Sequence, residues 1–182
     1  MIIAVTGRIG SGKTTVAGIA AKRLNYLLID ADQIGHELLE KPAVRQRVVQ
    51  QFGKGMLSKG KVSRKRLARI VFSQPARLRQ LNRIMHPLIT NEIIRKSSGR
   101  QAVVDAALYN ELKLDKLSDF TILVKAPDAL IQKRLRGRFT KKQVANIIRA
   151  HKIRAPGSYA INNDGTMPEL RKKVAAALKK LK

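Results

Sequence analysis

The chain has 182 residues, 44% of them hydrophobic and 27% charged, which is the balance of one globular domain with its own core rather than a disordered segment. It has no cysteine, which excludes a disulfide framework, a thiolate metal site and a cysteine nucleophile. Lysine and arginine number 38 against 12 carboxylates, a formal charge of +26 that attracts polyanions such as nucleotide phosphates, nucleic acid or an anionic membrane.

The first predicted strand is Ile2–Thr6, apolar enough for a central parallel position, and a helix follows over Gly12–Leu24. Between them the spacing Gly7-x-x-x-x-Gly12-Lys13-Thr14 fits a phosphate-binding Walker loop in its strand-to-helix context. Gly7, Gly10 and Gly12 let backbone N–H groups curl around a phosphate, with Ile9, Ser11 and Thr15 completing the loop. Lys13 reaches the β- and γ-phosphates, and the Thr14 hydroxyl is placed to hold Mg²⁺. The chain is therefore expected to bind a nucleoside triphosphate, ATP by preference.

A second short strand, Tyr26–Ile29, runs into Asp30-Ala31-Asp32. A carboxylate so soon after the phosphate loop can accept the proton of an acceptor hydroxyl during phosphoryl transfer; Asp32 can equally cap the next helix. A basic, mostly helical region follows from Gln33 to Lys96, with breaks expected at Pro42, around Gly53–Gly60, and near Pro75 and Pro87, and Ser63 is a plausible N-cap for Arg64–Phe72. From Lys41 to Asn91 there are thirteen basic residues and no acidic one.

Strands are expected again at Gln101–Asp105 and Asp119–Val124, separated by a loop and short helix over 106–117. Asp128 opens a predicted helix over Ala129–Arg138, Thr140 caps another over Lys141–Arg154, a strand returns at Tyr159–Asn162, and a basic helix runs from Pro168. The interval between Asp128 and Asp164 holds nine basic residues and again no acid. Alternating strands and helices imply a three-layer α/β/α fold with a mostly parallel central sheet. Ligands collect at the carboxyl ends of such strands, where the Walker loop, Asp32 and Asp105 all fall. No apolar run approaches the ~18 residues that span a bilayer and the N-terminus has no signal-peptide layout, so a cytoplasmic protein without membrane association is expected.

The loop Thr6–Thr15, TGRIGSGKTT, together with Asp30-Ala31-Asp32, Ile34 and His36, resembles the dephospho-coenzyme A kinases. The likeness continues through Phe52-Gly53, Gly60-Lys61-Val62-Ser63-Arg64, Leu67, Val71-Phe72 and the discriminating Leu81-Asn82-x-x-x-His86-Pro87. It runs on through Val103–Leu108, Lys133–Arg138 and Ile161–Gly165. The resemblance implies a P-loop kinase core near 1–40, 100–130 and 155–182, a helical acceptor subdomain near 41–99, and a lid near 133–154. It implies transfer of the ATP γ-phosphate to the ribose 3′-hydroxyl of dephospho-coenzyme A, and a monomer or weak oligomer is expected. Asp32 is then the general base, with Asp30 orienting the site or supporting Mg²⁺. Asp105 binds metal through water, holds the acceptor, or simply ends its strand. Arg64 contacts the acceptor unless it belongs to a solvated face, and His86 shapes the acceptor pocket without chemistry. Arg138 is the lid's phosphate-binding arginine, sharing a helix face with Arg134. The Asn163–Gly165 turn sits against adenine with its backbone groups.

Three departures from the family pattern stand out. Arg8 replaces a glycine of the loop, Ala107-Leu108-Tyr109 replaces the usual Pro-Leu-Leu, and the Ala-Asp pair before the final turn is missing. Two rival readings are a P-loop kinase for another nucleoside-like acceptor and a basic P-loop protein associated with RNA. The charge also admits non-specific nucleic-acid association.

Overall fold

The computed structural model describes residues 1–137, 144 and 153–181. Five strands form one parallel sheet: β1 (Ile2–Gly7), β2 (Leu27–Asp30), β5 (Ala102–Asp105), β6 (Phe120–Lys125) and β7 (Tyr159–Asn162), in the order β2-β5-β1-β6-β7. This is the sheet of a three-layer α/β/α fold. Parallel strands covered on both faces need nearly continuous apolar runs, and Ile2–Val5 and Ala102–Val104 supply them. Register is fixed where β1 and β6 begin: the Ile2 N–H donates to Asp119 Oδ2 at 2.7 Å, and the Asp119 N–H donates to the Ile2 carbonyl at 2.9 Å.

One face of the sheet carries α1 (Lys13–Leu24) and α7 (Met167–Leu178). Ile3, Val5, Val103, Ile122, Val124 and Ile161 from the strands meet Val16, Ala17, Ala20, Ala21, Leu170 and Val174 from these helices in one buried cluster. The small side chains on α1 let it approach the sheet closely, and each fully buried valine or isoleucine contributes about 1.5–3 kcal/mol by leaving water. α1 stops at Asn25, which takes the left-handed conformation at φ 56°, with the Asn25 and Tyr26 N–H groups closing onto the Ala21 carbonyl. After β5, the Asn110 side-chain amide pairs with the Arg154 peptide, donating from Nδ2 to the carbonyl at 2.6 Å and accepting from the N–H at 3.1 Å.

The chain divides into two compact units, Met1–Ala31 with Lys96–Lys182, and Asp32–Arg95. The second unit contains α2 (Ala31–Glu40) from Asp32 onward, α3 (Pro42–Phe52), α4 (Arg64–Ser73) and α5 (Pro75–Ser97) up to Arg95. Ile34, Leu38, Val44, Val48, Met56, Leu67, Val71, Met85, Ile89 and Ile93 are buried there. The break expected around Gly53–Gly60 is a single 3₁₀ turn, Lys54–Met56, followed by a small antiparallel hairpin of β3 (Leu57–Ser58) and β4 (Lys61–Val62). Lys59 and Gly60 both take positive φ at its two-residue turn. Arginines strap this hairpin: Arg45 donates to the Gly60 carbonyl, and Arg66 donates to those of Gly55 and Leu57. Ser63 caps α4 as expected, its hydroxyl accepting from the Arg66 N–H at 3.4 Å.

Pro87 does not break the helix. It lies inside the 23-residue α5, where it removes one backbone donor without ending the run. Met85, Ile89 and Ile93 are buried on either side of it, so packing holds both halves in line against the local cost. The other expected elements fall within a residue or two of their predicted bounds, except that α6 spans Asp128–Leu135. The expected helix over Lys141–Arg154 and its Thr140 cap lie almost wholly outside the described residues.

Candidate active site

The phosphate loop leaves β1 at Gly7 and enters α1 at Lys13. Gly12 caps the helix at φ 92° with no side chain bonded to the first turn, so the N–H groups that open α1 remain available to an anion. The loop is curled by a hydrogen bond from the Ser11 N–H to the Arg8 carbonyl at 3.0 Å. Two of its glycines are dictated by crowding. A Cβ on Gly7 would lie 2.5 Å from the Val124 carbonyl oxygen, and one on Gly12 would fall directly onto Asn163 Nδ2. Ser11 is fully buried and its hydroxyl meets no hydrogen-bond partner among the described residues.

Asp30 and Asp105 end the adjacent parallel strands β2 and β5 in matched register, and Asp105 is in turn registered with Val5 of β1. The sheet thus brings both carboxylates to the edge from which the phosphate loop emerges. Asp105 is 4% exposed, whereas Asp30 is open to solvent. Asp32, His36, Arg64 and His86 belong to the second unit. Asp32 sits exposed in the first turn of α2, two residues beyond Asp30, and His36 is exposed one turn later. Arg64 is the exposed first residue of α4, and His86 is half-buried in α5. Arg138 lies outside the described residues.

Asn163 and Arg134 bind the loop from behind. The Asn163 side chain donates from Nδ2 to the Ser11 carbonyl at 2.8 Å in a buried contact. Arg134, near the end of α6, donates from Nη1 to the Gly10 and Ser11 carbonyls at 3.2 and 3.1 Å, and from Nη2 to the Asn163 carbonyl at 3.1 Å. With the Ser11 carbonyl engaged by both side chains, the N–H of the same planar peptide, that of Gly12, points the opposite way, while the Ser11 N–H is taken by the Arg8 carbonyl. This strapping role of Arg134 is not legible in the chain, where Arg134 is one of nine basic residues in its stretch. Nor is the reach of the Asn163 side chain into the loop, although the crowding at Gly12 is its counterpart.

The turn that carries Asn163 is itself braced. Lys173 of α7 donates to the Asn162 carbonyl at 2.7 Å and to Asp164 at 2.8 Å, and this ammonium hydrogen bond holds the Asp164 carboxyl below its usual range. A capping box opens α7: the Thr166 N–H donates to Glu169 Oε2 at 2.7 Å while the Thr166 side chain accepts from the Glu169 N–H, and the Thr166 hydroxyl also donates to Glu169 Oε2 at 3.0 Å. The backbone N–H in particular lowers the Glu169 pKa. Beside the turn, a cavity of about 540 Å³ lies at the carboxyl edge of β6 and β7, lined by Arg8, Lys125, Ile153, Asn162 and Asp164 among others.

A parallel sheet with a glycine-rich loop feeding a helix N-terminus, and carboxylates at the neighbouring strand ends, defines a P-loop kinase. The family model for dephospho-CoA kinase matches residues 1–169. The chain belongs to the dephospho-CoA kinase family. A dephospho-CoA kinase of Dehalococcoides mccartyi is 40% identical over 144 residues, covering 75% of this chain and 72% of the relative. One from Lactobacillus acidophilus is 32% identical and spans 100% of this chain and 97% of its own length. The crystal structure of TT1252 from Thermus thermophilus superposes with a TM-score of 0.82 at 26% identity, covering 100% of this chain and 98% of that one.

Proposed function

We propose that this chain transfers the γ-phosphoryl group of ATP to the ribose 3′-hydroxyl of dephospho-coenzyme A, giving coenzyme A in the last step of its synthesis. The family match over residues 1–169 carries this reading, and the phosphate loop with Asp30 and Asp105 at neighbouring strand ends supports it.

In this reaction the first-turn N–H groups of α1 and the Lys13 ammonium bind the β- and γ-phosphates. Asp32 accepts the proton of the 3′-hydroxyl as that oxygen bonds to the γ-phosphorus and the β–γ bridging oxygen departs with ADP. His36, Arg64 and His86 hold the acceptor, and Arg138 adds positive charge to the transferring group. The Asn163–Gly165 turn, beside the cavity at the edge of β7, receives the adenine. Thr14, Asp30 and Asp105 offer hard oxygen donors for Mg²⁺. No group of three or more His, Asp or Glu side chains among the described residues is placed to hold a metal by itself. That donor set fits an ion taking one or two protein ligands and completing its shell with phosphates and water. Bound there, Mg²⁺ supplies neutralisation of phosphate charge.

The test is coupled ATP turnover with dephospho-coenzyme A against a panel of nucleosides and nucleotides. Turnover stimulated by dephospho-coenzyme A alone is expected; stimulation by another acceptor in its place overturns the reading. The thirteen basic residues without an acid between Lys41 and Asn91 favour a second reading, a nucleotide-dependent association with RNA. ATP turnover unchanged by added RNA removes it.

A further inference from the structure

Arg8 is the one charged side chain of the loop before Lys13, and it reaches the segment that follows β6. Its Nη2 donates to Asp128 Oδ1 at 2.5 Å and to the Ala126 carbonyl at 3.4 Å. This contact forms where the chain leaves the sheet, because Gly7, the last residue of β1, is registered with Val124 of β6. Arg8 therefore clips the entrance of the phosphate loop to the connection between β6 and α6.

Asp128 is the first residue of α6, so the clip fixes that helix at its N-terminal end. Arg134 fixes the other end through the Gly10 and Ser11 carbonyls. Ile131 and Leu135 of the same helix pack over Gly10, where an added Cβ would lie 3.1–3.2 Å from their side chains. The two straps do different things. Arg134 holds residues 10 and 11, while Arg8 holds its own peptide, whose carbonyl receives the Ser11 N–H that curls the loop.

We infer that Arg8 is a positioning residue for nucleotide binding: through Asp128 it fixes the entrance of the phosphate loop in the curled form that presents its N–H groups to the phosphates. The inference rests on the P-loop kinase reading of this site but not on the identity of the acceptor. The pair lies at the solvent boundary, with side chains 31% and 55% exposed, so its effect is that of a partly screened ion pair. Asp128 is the carboxylate that takes the charge, and among the described residues Lys125 is the other cation lining the adjoining cavity.

The experiment measures ATP affinity by calorimetry without acceptor, and KM for ATP against kcat in the coupled assay. The enzymes are wild type, Arg8→Gln, Arg8→Lys, Asp128→Asn and the double variant Arg8→Gln/Asp128→Asn. Arg8→Gln and Asp128→Asn are each expected to weaken ATP binding by about fivefold, the scale of one such pair, with kcat little changed. The double variant is expected to be no weaker than either single one, because both remove the same contact. Arg8→Lys, which keeps the charge, is expected to recover part of the loss. Additive losses would show that Arg8 meets the phosphates directly, and tighter binding in Asp128→Asn would show that the carboxylate withholds Arg8 from the nucleotide. Either result overturns the proposal, as does ATP affinity unchanged in Arg8→Gln. Wild-type enzyme that binds ATP yet shows no turnover with dephospho-coenzyme A would instead count against the acceptor, and the calorimetry of the variants would still decide the role of Arg8.

Discussion

At the scale of single residues the site is built from atoms that oppose one another in small spaces. Asn163 occupies the place where any side chain on residue 12 would stand, so the asparagine leaves room there for glycine alone. The Walker spacing makes Gly7, Gly12, Lys13 and Thr14 legible because the phosphate itself imposes that pattern on the chain. Asp32 is legible only through its distance from Lys13 and the motif around it. If it accepts the acceptor's proton, Asp32→Asn keeps ATP affinity and lowers kcat by on the order of 10²–10⁴, the usual worth of a positioned base. Calorimetry with ATP and the coupled assay together check this. Turnover within a fewfold of wild type moves the base to another group.

Among the elements, α7 shows how a helix can serve a site it does not enter. Its capping box and Lys173 hold the turn that presents Asn163. Thr166→Ala removes the cap and is expected to cost about 1 kcal/mol, roughly 2–4 °C in Tm for a chain of this size. Asp164 and Glu169 both have folded-state pKa values lowered by hydrogen bonds, from Lys173 in one case and from the Thr166 N–H in the other. Their contribution is therefore fully present above the ordinary carboxylate pKa of about 4 and is lost as pH falls through the lowered values. Thr166→Ala keeps the N–H bond to Glu169 and removes the hydroxyl bond, so only the share of the deficit that comes from the hydroxyl–carboxylate contact should shrink in melts below that range; a deficit that grows in acid would contradict the assignment. α5 carries the opposite lesson for sequence reading. A proline marks a helix boundary when only local geometry counts, yet the buried residues around Pro87 outweigh the single lost donor.

For the whole molecule the dominant quantity is charge. A formal +26 sets like charges against one another, and each of the described ion pairs Arg8–Asp128, Glu92–Arg95 and Asp164–Lys173 has at least one exposed or half-exposed partner. Raising NaCl from about 0.1 M to 1 M shortens the screening length from about 10 Å to about 3 Å, so repulsion fades while the packed apolar core is not weakened. Tm is expected to rise across that range; a fall would show that attractive pairs outweigh the repulsion.

The sequence by itself determined the parallel α/β class, the phosphate loop, the succession of the five strands of the main sheet, and the two acid-free basic stretches. Each of these is written in local spacing or in an apolar run, and needs no distant partner to be read. Only the tertiary structure decided that Asp30 and Asp105 stand in register, that Arg134 and Asn163 strap the loop from behind, and that Arg8 reaches Asp128. Those relations join residues as far as 152 positions apart, and nothing in the chain around either partner marks the other. Strand order and helix packing set them, because a parallel sheet gathers at one edge residues that the sequence keeps far apart.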